Sequence, residues 1–554
     1  MTAERWYWGS LIAVVVASVI VVAVAFTPVP HTGGDNAGYI GLAHGIVTSG
    51  SYSDAFDPEG LPHTKYPPVF PGLLALLIVM GARTWVTLKL TAAVSTVVAV
   101  GFTYLWAERS LGILAAGAVA TVFGLSSGVI YYSHWILSDP VFVALTVTGL
   151  FALARADEEG AHFAWLIAGV SAAGLANFTR SAGLPLVVAV LVWLGLRRRW
   201  RALAVTSIAL GLPMLGWWLR GRGEGVAQYG AEFWMVDPYQ PALGTIGVLE
   251  LIPRLLNNLS SYVFNHIPAG VVGLDGSALP QLGVVLCMGA VVGWVLRVGE
   301  RVGPVEVFFP LYAGLILLWP EVWGGDRFAL PLYPVIFVYG AGAVRALADR
   351  VPQPIGRLGV VGVLLLLVIP AGVNWLDGAR ESSVCAEMGE RDDWACYGPR
   401  VGYFVAAARW AGTALPPGSA VLSRKPRHFY LLSGHPSRAF HFGQEPADHL
   451  ELADALDARY LLLDQWDGLA VRYAGSAVRR QPGAFCFVRG FGQPGDGGAQ
   501  LLGILDPDQR SAAEPSEGPG IQIATCPSDF TTGGVETPDY PSSGLIPLLE
   551  ELDS

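Results

Sequence analysis

Charge is scarce in this sequence. Only 14% of its 554 residues are charged, against about 25% in an ordinary soluble domain, while 53% are hydrophobic. That balance excludes a water-soluble fold of this size. Lysine is rarer still: Lys65, Lys89 and Lys425 are the only three, and arginine serves as the cation elsewhere. Other signals are missing too. No glycine-rich loop follows a strand and opens a helix, so a soluble nucleotide-binding motif is absent. CxxC-type spacing is absent, which removes the usual structural zinc site. No small-residue cleavage site follows the first apolar run, so residues 6–26 read as a first span and not as a signal peptide. No internal repeat of two related halves is visible, which counts against a transporter built on inverted repeats.

What is present are apolar runs, several of them roughly 17 to 22 residues long, the length a helix needs to cross about 30 Å of hydrocarbon. Eleven are readable, at residues 6–26, 84–106, 111–131, 140–154, 163–178, 183–196, 203–219, 279–296, 305–319, 329–344 and 358–375. Strict alternation from an inside N-terminus then places Glu108 with Arg109, Arg155, Arg197 to Arg199 with Arg201, Arg297 with Arg301, and the loop 345–357 on one side. This is the positive-inside pattern. The stretch 69–80 is too short to span and is expected to re-enter or lie in the interface.

The fold class expected is therefore a polytopic α-helical membrane protein of about eleven spans, followed by a C-terminal extracytoplasmic α/β domain. Residues 1–376 form the membrane domain. Residues 377–505 alternate apolar strands (420–423, 460–464, 485–488) with helical stretches such as 447–457, which suggests the small α/β domain. Residues 506–554 are rich in Pro, Gly, Ser and acid and are expected to be disordered. The net charge of −10 is placed unevenly, with arginine on the short loops and acid in the tail, so nucleic acid is not the expected partner. Of five cysteines, Cys287 lies in an apolar run and Cys385, Cys396, Cys486 and Cys526 lie in the tail. Four in one hydrophilic segment fit two disulfides in an oxidising compartment, with connectivity left open.

The polar residues that carry chemistry fall on the other side, at span ends. The first outer loop opens Gly33-Gly34-Asp35-Asn36-Ala37-Gly38-Tyr39, with Asp35 near the start of an interfacial helix. An aspartate ahead of an apolar-periodic run is also the ordinary helix-capping signal. The same loop continues to Lys65-Tyr66-Pro67-Pro68, where the cation either snorkels or contacts phosphate. Next come Ser133-His134 and Leu137-Ser138-Asp139-Pro140, where Asp139 and Pro140 also suit a helix start. Later turns carry Phe178-Thr179-Arg180-Ser181-Ala182-Gly183 and Asp326-Arg327-Phe328-Ala329-Leu330-Pro331.

Taken in this order and on one membrane face, these motifs resemble the glycosyltransferase C superfamily over residues 6–351. The branch is the one containing protein O-mannosyltransferases, the lipid A aminoarabinose transferase and many bacterial transferases. The resemblance implies transfer of a sugar from a polyprenyl-phosphate carrier to a glycan, lipid or protein acceptor, with inversion, at the outer face of a bacterial plasma membrane. It matches Asp35 to the catalytic base of the first loop and leaves Asp139 as a second catalytic candidate. Lys65, Tyr66, His134, Arg180, Asp326 and Arg327 become candidates for binding substrate. Many relatives carry two adjacent acids where this chain has Asp35-Asn36, which weakens a metal role there, although carboxylates in general suit Mg²⁺ or Mn²⁺. The segment 416–434 is similar to C-terminal domains fused to such enzymes. Two other readings stand beside this one: an O-antigen-ligase-like enzyme, whose key residues would lie in the loop 220–278 with Glu232, Asp237, Arg254 and His266, and a non-enzymatic transporter or flippase of lipid-linked glycans.

Overall fold

The computed structural model describes residues 3–222, 229–240, 243–274, 280–349, 355–492, 497–510, 523–532, 544–550 and 552. Among them, seven helices are long and apolar enough to cross a membrane: Trp6–Ala25, Trp85–Leu111, Ser138–Ala156, Trp200–Arg220, Gln281–Glu300, Asp326–Ala348 and Val361–Gly389. Four shorter apolar helices, Ile113–Leu125, Phe163–Thr179, Ser181–Leu196 and Pro304–Leu318, take up the other expected spans. They fall short of the ~20 residues that a full crossing takes. On the Trp200–Arg220 helix, Val205, Ile208, Leu212 and Leu219 stand exposed. An apolar face of that kind is at rest only in hydrocarbon, and the chain is a multi-pass membrane protein.

Two expected boundaries move. The run 111–131 is not one helix: it breaks at Ser126, whose backbone turns extended (φ −57°, ψ 131°) and whose Oγ donates to the Val122 carbonyl at 2.8 Å. Back-bonding of this kind competes with the helix ladder. The last span does not stop at 375 but continues as one helix, Ile355–Gly389, through the expected domain boundary at 377. The sequence turns polar there, yet Ala, Glu, Ser and Met sustain a helix in water as well as in lipid.

The chain divides into two compact units. The first is Met1–Phe26, Thr64–Phe70 and Lys89–Ser382. Its core is aromatic and aliphatic, with Tyr104, Phe123, Trp193, Phe308 and Tyr312 essentially without solvent. The helices Ser138–Ala156 and Phe163–Thr179 lie side by side: a Cβ at Gly169 would come 2.6 Å from Leu153. Small residues allow this approach, which packing needs where helices gain nothing from the hydrophobic effect against one another. Immediately after the Ser138–Ala156 helix, Asp157 accepts from Arg197 Nε and Trp193 Nε1 at 2.7 and 2.8 Å and pairs with Arg301 at 3.1 Å, while Glu158 pairs with Arg109 and Arg155. Arg345 donates to the Ser110 carbonyl at 2.5 Å. Arg109, Arg155, Arg197 and Arg301 thus converge on the C-terminal end of a 19-residue helix, some 28 Å along its axis from the residues at its start.

The second unit is Thr27–His63, Pro71–Leu88 and Ser383–Ser554, so the first outer loop, apart from Thr64–Phe70, folds with the C-terminal part of the chain and not with the membrane domain expected at 1–376. Its five-stranded sheet contains β1 (Ala420–Leu422), β2 (Ser437–Arg438), β3 (Ala458–Leu463), β4 (Phe485–Phe491) and β5 (Ala499–Ile504), in the order β2-β1-β3-β5-β4. The first three are parallel, and β5 runs antiparallel to both β3 and β4. The loop is held to this sheet by charge. Arg438 reaches Asp57 Oδ2 through Nε at 2.7 Å and Glu59 Oε2 through Nη2 at 2.6 Å, and Ser437 N donates to the Phe56 carbonyl at 2.6 Å.

The tail expected to be disordered from 506 onward is anchored where it is described. Thr525 bridges Phe487, the Phe530 carbonyl accepts from Tyr460 at 2.8 Å, and Ile546 and Leu549 are fully buried. Segments 511–522 and 533–543, on which the same expectation falls, lie outside the described residues. All four tail cysteines pair, Cys385 with Cys396 and Cys486 with Cys526, while Cys287 is free. The second bridge ties the far tail to β4. With sequence separations of 11 and 40, loop-closure entropy gives about 3 and about 4 kcal/mol respectively. Cys486→Ser should therefore lower the melting temperature more than Cys385→Ser; equal melting of wild type and both variants would refute the pairing.

Candidate functional site

At the start of the Ser138–Ala156 helix, Ser138 and Asp139 occupy the first turn and Pro140 follows, its missing N–H costing nothing there. The cap is Leu137 and carries no side-chain bond, so Asp139 is not the capping residue that its sequence also allowed. Instead its carboxylate is 3% exposed and is gripped from two sides. Arg180 Nη1 lies 2.5 Å from Oδ1 and Arg327 Nη2 lies 2.8 Å from Oδ2. Arg180 sits where the Phe163–Thr179 helix ends in extended backbone, and Arg327 sits in the short Asp326–Ala329 turn that opens the next long span. The Arg180 guanidinium also lies 3.4 Å from Ser138 Oγ and 5.6 Å from the centre of the Phe328 ring. Three helix ends distant in sequence therefore meet on one carboxylate.

Asp326, beside Arg327, accepts from Tyr132 Oη at 3.2 Å and from the Arg327 amide at 2.9 Å. Gly128 and Gly270 make room for it: a Cβ on Gly128 would stand 2.9 Å from Asp326 Oδ2, and one on Gly270 would collide with Tyr333 Oη. His134 is buried, and burial, with the Lys89 charge adding, pushes its imidazole down to about 3. It is neutral at ordinary pH and supplies no charge to an anion. Lys65 pairs with Glu232 at 2.9 Å and stands over the rings of Trp323 and Tyr229 at 4.8 and 5.4 Å. Its neighbour Tyr66 is buried.

The first unit thus brings together Asp139, Arg180 and Arg327, with Asp326 next to them, and holds Lys65 in a separate ion pair. Asp35 belongs to the second unit. It is the second residue of the Gly34–Ser49 helix, two positions after the cap, which is Gly33. An acid in that first turn is favoured by the positive end of the helix dipole. Its partner is Arg427, whose Nη1 lies 3.7 Å from Oδ1 and whose guanidinium covers the Phe56 ring at 5.2 Å. Gly38, one turn on, allows this: a Cβ there would meet Arg427 at 3.1 Å.

Sequence reading gave no role to Tyr132 or Arg427 and named Glu232 only in the late loop of the ligase-like reading. Their partners lie 194, about 390 and 167 positions away, and no local signal announces a pairing over such a distance. Lys89 was likewise only counted, although at 1% exposure it lies inside the first unit, 6.0 Å from the Phe26 ring. The late-loop residues behind the ligase-like reading have structural work. Arg254 donates to the Phe233 and Met235 carbonyls at 2.6 Å, and Asp237 accepts from the Tyr239 amide at 2.8 Å.

No family model matches the sequence, and no curated protein is significantly similar to it. Solved structures do share its fold. ArnT from Cupriavidus metallidurans bound to undecaprenyl phosphate is 15% identical with a TM-score of 0.53, covering 91% of this chain and 99% of that one. The oligosaccharyltransferase AglB from Archaeoglobus fulgidus, in complex with an inhibitory peptide and a dolichol-phosphate, is 15% identical with a TM-score of 0.57, covering 90% and 74%. The apo form of the Archaeoglobus fulgidus oligosaccharyltransferase gives 16% and 0.58, covering 88% and 74%. The likeness is one of fold, shared with ArnT and the archaeal oligosaccharyltransferase.

Removing one partner of a buried ion pair typically costs about 3–5 kcal/mol, because the other charge is left unpaired. Asp139→Ala abandons two guanidinium groups at once and should lower the melting temperature more than Arg180→Ala or Arg327→Ala, each of which leaves Asp139 one cation. Equal melting of the three variants would show that the carboxylate does not hold the cluster.

Proposed function

We propose that this chain transfers a sugar from a polyprenyl-phosphate carrier to an acceptor hydroxyl at the outer surface of a bacterial plasma membrane, with inversion at the anomeric carbon. The observation that supports this most is the pair of arginines locked on one buried carboxylate at a span end, in a fold shared with proteins solved with undecaprenyl phosphate and dolichol-phosphate bound.

In this reaction the acceptor oxygen forms a bond to the anomeric carbon as the bond from that carbon to the carrier phosphate breaks. The acceptor proton goes to a base and the electron pair stays on the phosphate. A phosphate leaving group gains negative charge and needs stabilisation more than protonation, which fixed cations supply best where water is excluded. Arg180 and Arg327 are suited to that work because their side chains are already immobilised on Asp139. Asp139 acts through them as a positioning residue. Lys65 is a further cation for the phosphate, Tyr66 and Asp326 line the same loops, and Asp35 is the base. Mg²⁺ or Mn²⁺ fits these residues poorly: among the described residues no three His, Cys, Asp or Glu side chains gather as ligands, and both Asp139 oxygens face guanidinium groups. No step is routed through an ion. The acceptor is a glycan, lipid or protein.

The test is sugar transfer from radiolabelled polyprenyl-phosphate hexoses and pentoses by the purified full chain, with a membrane extract as acceptor source. Asp35→Asn should lose about 10²- to 10⁴-fold in rate, the usual worth of a general base, and Arg327→Ala should lose turnover while staying folded. Unchanged transfer in Asp35→Asn would remove the base assignment; no transfer by the wild type from any of the donors would overturn the whole reading.

A further inference from the structure

In the second unit the chain leaves β1 through the Pro426–Ser433 helix toward β2 at one edge, and leaves β3 toward β4 at the other. Between the parallel neighbours β1 and β3 the connections diverge, and the carboxyl ends of strands at such a point frame a crevice, the usual ligand position in open α/β sheets. The residues that follow the two strands here are Ser423-Arg424-Lys425 and Asp464-Gln465-Trp466-Asp467.

They form a built cluster. Arg424 Nη2 lies 2.9 Å from Asp467 Oδ2, and Lys425 Nζ lies 3.9 Å from the same oxygen and 5.4 Å above the Trp466 ring. Asp464 is 1% exposed; its Oδ1 accepts from the Trp466 amide at 2.8 Å, and its Oδ2 has no hydrogen-bond partner among the described residues. His428, also 1% exposed, sits 5.4 Å from the Trp466 ring; its Nε2 is 3.2 Å from the His31 carbonyl, and its Nδ1 has no partner among the described residues. Buried polar atoms without partners are rare and costly, so two in one cluster call for a group that satisfies them. Burial pushes the Asp464 carboxyl up to about 6, with Asp467 adding to the shift and the Trp466 amide, Arg424 and Lys425 opposing it.

We propose that this crevice is a carbohydrate site that binds one neutral sugar ring. The cations Arg424 and Lys425 are matched by the carboxylates Asp464 and Asp467, so the walls favour neither an anion nor a cation. Carboxylates and a guanidinium side by side suit the hydroxyls of a sugar, acceptors and donors together, and an indole beside them suits its C–H face. Three residues after Arg424, Arg427 contacts Asp35, so the segment that lines the crevice also reaches the proposed base. The bound sugar is accordingly part of the acceptor. Only this last assignment rests on the transfer reading; the binding does not.

The experiment is saturation-transfer NMR on the purified full chain in a detergent without a sugar headgroup, using the methyl glycosides of glucose, galactose, mannose and arabinose as probes. At least one should receive saturation, with affinity about tenfold or more weaker in Asp467→Asn and Asp464→Asn, the usual effect of losing a hydrogen bond to a charged group. Arg424→Gln serves as a second variant, and a melting curve for each confirms folding. Absence of saturation on all four glycosides, or equal saturation in wild type and the folded variants, overturns the site. Binding by a wild type that transfers no sugar leaves the site standing and sinks only the transfer reading. If the wild type does transfer, Asp467→Asn should raise the KM for acceptor with kcat kept; a change confined to kcat overturns the acceptor assignment.

Discussion

A carboxylate almost shut off from water needs cations in place of the water, and Asp139, a residue 3% exposed, imposes that need on three separate helix ends. Arg180 arrives where one helix stops, Arg327 where another begins, and neither can move off without stranding a buried charge. Helices in lipid gain little from the hydrophobic effect against each other, so a shared ionic lock of this kind does much to set how their ends meet. The same lock gives two guanidinium groups a fixed direction, which is the property a site for a developing phosphate charge requires.

The second unit is organised by a related constraint. A polar loop that leaves an apolar span finds few charged partners among membrane helices. The loop 27–63 finds them in Arg427 and Arg438, which belong to the strand-and-helix segment around β1 and β2. A catalytic candidate near the N-terminus and a sheet near the C-terminus therefore form one compact body. The role of the C-terminal part then has a physical basis: it contributes the residue that contacts Asp35, and its crevice lies a few residues away along the same segment.

Much of the membrane part was legible. Seven of the eleven apolar runs meet a helix long and apolar enough to cross a membrane, and the short run expected at 69–80 is the helix Val69–Val79, because run length and hydropathy answer directly to the thickness of hydrocarbon. The identities of Asp139, Arg180 and Arg327 were also readable, since a charge at the end of an apolar run is unusual enough to stand out. Three features were not. The break at Ser126 depends on a single hydroxyl turning back on its helix. The passage of the last helix through 377 looks polar by composition yet stays helical. The tail after 506 looks disordered by composition, but Cys526 pairs with Cys486, and Phe530 and Ile546 are buried.

The sequence by itself determined what is governed by local chemistry: a helical membrane protein, the lengths of its apolar segments, the collection of arginines in alternate loops and the polar residue types at the ends of the apolar runs. Only the tertiary structure decided the pairings. Asp139 with two arginines, Lys65 with Glu232, Asp35 with Arg427 and each cysteine with its mate are contacts between residues tens to hundreds of positions apart, except for Cys385 and Cys396 at a separation of 11. A local pattern reports how a segment meets its solvent; which two segments meet each other is settled by packing and by the cost of leaving a buried charge alone.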